Sequence, residues 1–138
     1  MANWYGSARS NYFRVKDSEA FKEALSSLGV DVYDGNGIHD GLVMICVSEG
    51  SDSGGWPTEG YDDEIGEGYD IDIETIVAEH LADGEVAVLM EVGAETLRYL
   101  TGWAVAIHSS GSVERVSIDD IYQKAREAFG VDPTPAKY

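Results

Sequence analysis

The sequence predicts one α+β domain over residues 1–138: a single, mostly antiparallel sheet with two or three helices packed on it. Three observations carry that prediction. A chain of 138 residues suffices for one hydrophobic core and is cramped for two. Hydrophobic residues make up 43% and aromatics 10%, enough to bury a core despite a net charge of −17. The apolar spacing switches between strand and helix periods in the order β-α-β-β-α-β-β-β-α.

Asn11-Tyr12-Phe13-Arg14-Val15 reads as the first strand, rich in aromatic and β-branched residues. Asp17 or Ser18 then caps a helix whose stripe is Phe21, Ala24, Leu25 and Leu28. Gly29 ends it as a left-handed residue, and Val30–Tyr33 alternates as a strand. Asp34-Gly35-Asn36-Gly37 is turn chemistry before Leu42–Val47, a continuous apolar strand expected to be buried on both faces. Residues 48–69, with six glycines and many acids, read as a long exposed loop. Asp70 or Asp72 caps a second helix carrying Ile73, Ile76, Val77 and Leu81, closed at Asp83-Gly84. Strands follow at Glu85–Val92, Leu97–His108 and Val113–Ser117. Ser117 with Asp120 resembles a capping box for a final helix carrying Ile118, Ile121, Tyr122, Ala125 and Phe129. Gly130 ends that helix, and residues 131–138 read as a loose tail.

Charge is distributed unevenly. From Glu23 to Leu97 there are nineteen acids and no Lys or Arg, while the remainder sums to +2. The densest stretch holds eight acids between Glu59 and Glu74. Such a block repels itself and must be solvated or paired with a partner. It excludes direct nucleic-acid binding, which needs a basic footprint, and disfavours anionic membranes. No apolar run reaches the roughly 20 residues of a membrane span, and Met1–Gly6 lacks signal-peptide character. Cys46 alone allows no internal disulfide. A cytoplasmic protein is expected.

The catalytic and metal motifs weaken on inspection. Asp52-Ser53-Gly54-Gly55 has the residues around a chymotrypsin-type nucleophile, but only His39 lies upstream and the chain is too short for that fold. Gly35, Gly37 and Gly41 miss the dinucleotide fingerprint by one residue and join two strands. Asp70, Asp72 and Glu74 have EF-hand spacing, yet Thr75 stands where Gly is needed and Leu81 where Glu is needed. His39, His80 and His108 lack zinc-motif spacing. No catalytic residue, metal or cofactor is assigned, and an enzyme is not expected. Arg9, Arg14 and Lys16 sit among aromatics near the N-terminus, where they should pair with acids of this chain or of a second copy.

Several segments resemble one family. Arg9-Ser10-Asn11-Tyr12-Phe13-Arg14-Val15-Lys16-Asp17 resembles the "SNYFRVKD" opening of small acidic proteins carried by bacterial plasmids, phages and mobile islands. Tyr69–Ile73, His80–Val88, Leu97–Leu100 and Ser117–Tyr122 extend the likeness over nearly the whole chain. The resemblance implies mobile-element origin and no catalytic residues.

These readings converge on an acidic inhibitor that offers a DNA-like negative surface to a basic DNA-handling protein, such as a restriction or CRISPR nuclease. Asp62, Asp63, Glu64, Glu67, Asp70 and Asp72 would supply the charge, with Trp56, Tyr61 and Tyr69 as aromatic anchors. The alternatives are an immunity protein or dedicated partner for one basic toxin or nuclease, and a small enzyme using the long loop. A homodimer is compatible with the sequence.

Overall fold

A computed structural model describes residues 4–47 and 54–136. The chain runs through β1 (Trp4–Ser10), α1 (Ser18–Leu25), β2 (Val30–Asp34), a 3-10 turn at Gly37–His39 and β3 (Val43–Val47). Next come β4 (Glu59–Asp62), β5 (Glu67–Asp70) and α2 (Ile73–His80). It closes with β6 (Val86–Glu95), β7 (Tyr99–His108), β8 (Val113–Ser117) and α3 (Asp120–Phe129). Six strands form one antiparallel sheet in the order β2-β3-β1-β6-β7-β8, and β4 and β5 pair only with each other. The chain therefore has the expected α+β class.

The core lies between one face of the sheet and two helices. Phe21 and Leu25 of α1, with Ile73, Val77 and Ala78 of α2, meet Ala8, Ile45, Ala87, Leu89, Val105 and Ile107 from the strands. Both helices start as their sequences dictate. The Asp17 carboxylate accepts from the Glu19 and Ala20 amides at 3.0 and 3.2 Å, satisfying donors that an α-helix leaves open. The Asp72 carboxylate accepts from the Thr75 amide at 3.1 Å and its hydroxyl at 2.8 Å. Gly130, at φ +70°, is the left-handed stop of α3, whereas α1 ends sooner than expected, at Leu25 with Ser26 as its C-cap, and Gly29, at φ +74°, closes the turn that follows.

Residues 11–15 are not the first strand; β1 precedes them. They form a clasp instead. β1 pairs with β6 over seven residues but with β3 at only Arg9↔Cys46, so another connection must hold β3 in place. The buried Ser10 hydroxyl accepts from the Ile45 amide at 2.9 Å. Phe13 and Val43 then exchange two backbone bonds, of 2.9 and 2.8 Å. On the other side, Asn11 Oδ1 accepts from the Val88 amide at 2.8 Å, extending the β6 ladder by a side chain. Further along, the Lys16 amide donates to the His80 carbonyl and the Ala82 amide to that of Arg14, tying in the end of α2. Phe13, fully buried, packs edge-on to Phe21 of α1. The Asn-Tyr-Phe-Arg-Val run is extended, as its β propensity demands, but it crosses between strands rather than lying beside one.

Five further expectations change. β3 is buried on one face: Val43 and Ile45 are inside while Met44, Cys46 and Val47 are half-buried. Within the supposed loop 48–69, residues 59–62 and 67–70 form a hairpin; residues 48–53 lie outside the described residues. Helix α3 forms where expected, and the capping pair forms partly, with the Ser117 amide donating to Asp120 Oδ2 at 2.8 Å. Yet α3 buries no residue. The tail is tethered as far as residue 136, by an Arg126–Asp132 ion pair and by the Ala136 amide donating to the Tyr122 hydroxyl. Finally, Arg9, Arg14 and Lys16 pair with no carboxylate among the described residues. Arg9 Nε instead donates to the Ser10 carbonyl, and Lys16 Nζ to the Glu79 carbonyl.

Ser10→Ala removes the acceptor of the buried Ile45 amide. It should cost about 2 kcal/mol in urea denaturation with an unchanged m-value. A loss within about 0.5 kcal/mol, the range of an ordinary surface change, would mean the clasp is not holding β3.

Candidate functional site

The acidic hairpin is built from a repeated tetrapeptide. β4 and β5 are both Glu-Gly-Tyr-Asp, a repeat that the sequence reading passed over. Antiparallel pairing of identical tetrapeptides fixes who faces whom. Gly60 lies opposite Tyr69 and Tyr61 opposite Gly68, while Glu59 faces Asp70 and Asp62 faces Glu67. The first two pairs are favourable: the Tyr69 ring fills the space beside Gly60, where an added Cβ would come within 2.3 Å of Tyr69 Cζ. The other two place like charges directly opposite, which destabilises a sheet.

Local hydrogen bonds close the turn. The Glu64 amide donates to Asp62 Oδ1 at 2.9 Å and the Gly66 amide to the Asp62 carbonyl at 2.8 Å, with Gly66 at φ +69°. Among the described residues no base lies within ion-pair distance of Glu59, Asp62, Asp63, Glu64, Glu67 or Asp70. Because side chains alternate along a strand, the Glu59–Asp70 pair and the Asp62–Glu67 pair sit on opposite faces of the hairpin. The acids thus line both faces of a ribbon rather than one flat surface. Six carboxylates over a ribbon about 14 Å long give roughly one charge per 2–2.5 Å, close to the 1.7 Å of B-DNA.

The nine residues singled out from sequence divide into two groups. Asp62, Asp63, Glu64, Glu67, Asp70, Tyr61 and Tyr69 sit together on the hairpin, and both tyrosines are exposed. Asp72 and Trp56 do not belong with them. Asp72 caps α2; hydrogen bonds from the Thr75 hydroxyl, then from the Thr75 amide, hold its carboxyl below the usual carboxylate value. Trp56 is only 5% exposed and joins the core, so it is no surface anchor. Its Nε1 is the one buried side-chain polar atom without a hydrogen-bond partner among the described residues.

Trp56 belongs to the mounting of the hairpin. Glu91 of β6, half-buried, accepts from the Trp56 amide through Oε1 and from Trp103 Nε1 through Oε2, each at 2.8 Å. The segment leading into β4 presses close: a Cβ on Gly55 would come 2.5 Å from Glu91 Oε1, and one on Gly54 would come 2.2 Å from the Gly6 carbonyl. Gly54-Gly55 is therefore a close-approach pair; Asp52 and Ser53 lie outside the described residues. All three tryptophans of the chain, Trp4, Trp56 and Trp103, wall one cavity of about 620 Å³ at the hairpin base. Asp72, Glu74, Glu91 and Arg115 are its charged lining, and Arg115 is ion-paired to Glu74.

Sequence reasoning missed Trp4, Trp103, Glu91 and Arg115. One signal was present for Glu91: it occupies the register of Ala87 and Leu89, the buried side of β6. An acid on the inward register of a strand needs partners, and Glu91 has two. The three histidines do not converge. His39 stacks on Tyr12 at 4.0 Å, His80 leans on Phe21, and His108 Nδ1 accepts from the Ser110 amide. No group of three metal-ligating side chains occurs among the described residues, and no helix there is long and apolar enough to cross a membrane. Comparison with family models, curated proteins and solved structures finds no match.

Glu91→Ala strands two N–H groups and should cost about 2 kcal/mol, with a red shift of tryptophan emission as the cavity wall loosens. Unchanged stability and emission would show that Glu91 does not anchor the hairpin. Asp72 has a depressed pKa, so its contribution is complete above the unfolded value of about 3.9 and is lost as pH falls through the folded value. Asp72→Asn, a neutral cap, should therefore flatten the acid limb of the stability profile below about pH 4. An acid limb identical to wild type would remove Asp72 from that role.

Proposed function

We infer that the chain is an acidic binding protein whose hairpin acts as a DNA-like charged ribbon for the basic, nucleic-acid-holding cleft of a DNA-handling protein. One observation carries the reading. Two of the four cross-strand pairs of the hairpin are acid against acid, and no base among the described residues compensates them. Charge held against local stability marks a functional requirement more often than a structural one. A solubilising surface would not need acids opposite each other.

The two-faced ribbon specifies the partner's shape. A cleft with basic walls on both sides neutralises both acid pairs at once, as a flat basic patch does not. Tyr61 and Tyr69 supply one exposed aromatic ring per face, from Glu-Gly-Tyr-Asp units in opposite directions. Affinity and association rate should both fall as salt rises. Restriction and CRISPR nucleases have such clefts, and the resemblance to proteins of mobile elements gives the chain a reason to meet them. Cytoplasmic location follows from the same reading.

Host proteins retained on the immobilised chain at low and high salt, with duplex DNA as competitor, test this directly. A nuclease released both by DNA and by salt supports the reading. A cognate insensitive to DNA would make the chain a dedicated partner or immunity protein, and retention of no basic protein at low salt would end the proposal. Asp70→Lys separates function from stability. It turns the Glu59–Asp70 repulsion into an attraction and should raise stability by about 0.2–1 kcal/mol. It should also weaken retention of the nuclease. A variant that is less stable, or that binds as well as wild type, would contradict the assignment.

A further inference from the structure

The main sheet has two faces, and only one is covered. α1 and α2 lie over the face that carries Ala8, Leu89, Val105 and Ile107. On the other face the strand register sets Met90 beside Ala104 and Val116, and Val92 beside Gly102. Met90 is 54% exposed and Val92 57%. Ile118 crosses above Gly102, where an added Cβ would lie 3.3 Å from Ile118 Cγ2. α3 starts from there, with Ile121 at 60% exposure and Phe129 at 79%. Between helix and sheet runs an almost wholly apolar groove of about 410 Å³, lined chiefly by Met90, Val92, Ala104, Val116, Ile118 and Ile121.

Such a surface needs a cover. A ten-residue helix is marginal in water without tertiary packing, and monomers seldom expose a continuous apolar face of this kind. The chain's own tail does not supply it. The Ala136 amide is bound at Tyr122 and Asp132 at Arg126, yet Phe129 and Val131 remain exposed.

We propose that a second copy of the same chain covers this face through a two-fold axis, with α3 of each copy lying along the exposed strip of the other. Two features select that occupant. First, both unpartnered halves of the contact, the helix stripe and the sheet strip, belong to one chain, so a two-fold axis satisfies both at once. Second, the charges fit. Molecules of charge −17 repel, and can meet only where acids are scarce. The groove is such a place: its lining has one acid, Asp120, and one base, Lys124. A basic partner would be drawn to the hairpin instead, which leads directly into α2 on the covered face. The dimer would leave both acidic hairpins available.

Sedimentation equilibrium from micromolar concentration to about 0.2 mM tests the proposal. Wild type should show twice the monomer mass, with association strengthened by salt, the opposite of the salt dependence of a basic partner. Val92→Glu and Ile121→Glu should each yield a monomer with unchanged far-UV circular dichroism. Mixing those two variants should restore part of the dimer, because one intact helix still meets one intact strip. A monomeric wild type at the highest concentration would overturn the proposal. So would folded glutamate variants that still dimerise, or a mixture that shows no recovery.

Discussion

Electrostatic self-repulsion is the constraint on which the rest of this structure depends. Nineteen acids with no intervening base must be accommodated between Glu23 and Leu97 in a small domain. Ion pairing does little of that work. The Lys22–Asp34 and Arg115–Glu74 pairs each tie a helix to the sheet and Arg98–Glu95 spans a turn, but together they involve only three of those acids. Other acids in the stretch act as acceptors for neutral donors: Asp72 caps α2, Asp62 closes the hairpin turn and Glu91 holds two N–H groups. Five more, Glu59, Asp63, Glu64, Glu67 and Asp70, sit on the exposed hairpin, where solvent weakens their mutual repulsion, and Glu23, Asp31, Asp40, Glu79, Asp83 and Glu85 are spread over the other elements and turns.

With so few bases, long-range order comes from neutral hydrogen bonds and from packing. The run from Ser10 to Asp17 shows this best. One hydroxyl, one amide side chain, two pairs of backbone bonds and a buried phenyl ring join β3, β6, α1 and the end of α2. The segment that carries the family-like "SNYFRVKD" motif is thus a structural clasp.

Much of the fold was legible because its signals are local. The Asp17 and Asp72 caps, the Gly130 stop and the limits of β8 follow from single residues or short alternations. Three features were not legible in that way. Residues 11–15 have strand composition, and only the pairing of β1 with β6 reveals that they cross between strands. The hairpin was hidden because glycine and acid are poor strand formers. Its signal was the repeated Glu-Gly-Tyr-Asp, which makes sense only when the two copies are set antiparallel. Helix α3 has a clear apolar stripe, and periodicity tells that a stripe wants covering without telling what covers it.

The central claim is that the hairpin carries its charge against its own stability. The most direct measurement is the NMR shift of the Gly60 α-protons, which the Tyr69 ring moves from the random-coil position when the hairpin is formed. Salt should be varied from about 10 mM to about 0.5 M, across the range in which the Debye length shrinks from about 30 Å to a few ångströms. Repulsion between Glu59 and Asp70 and between Asp62 and Glu67 predicts that the shift moves further from random coil as salt rises. A shift that stays constant, or that retreats toward random coil, would show that the acids cost the hairpin nothing.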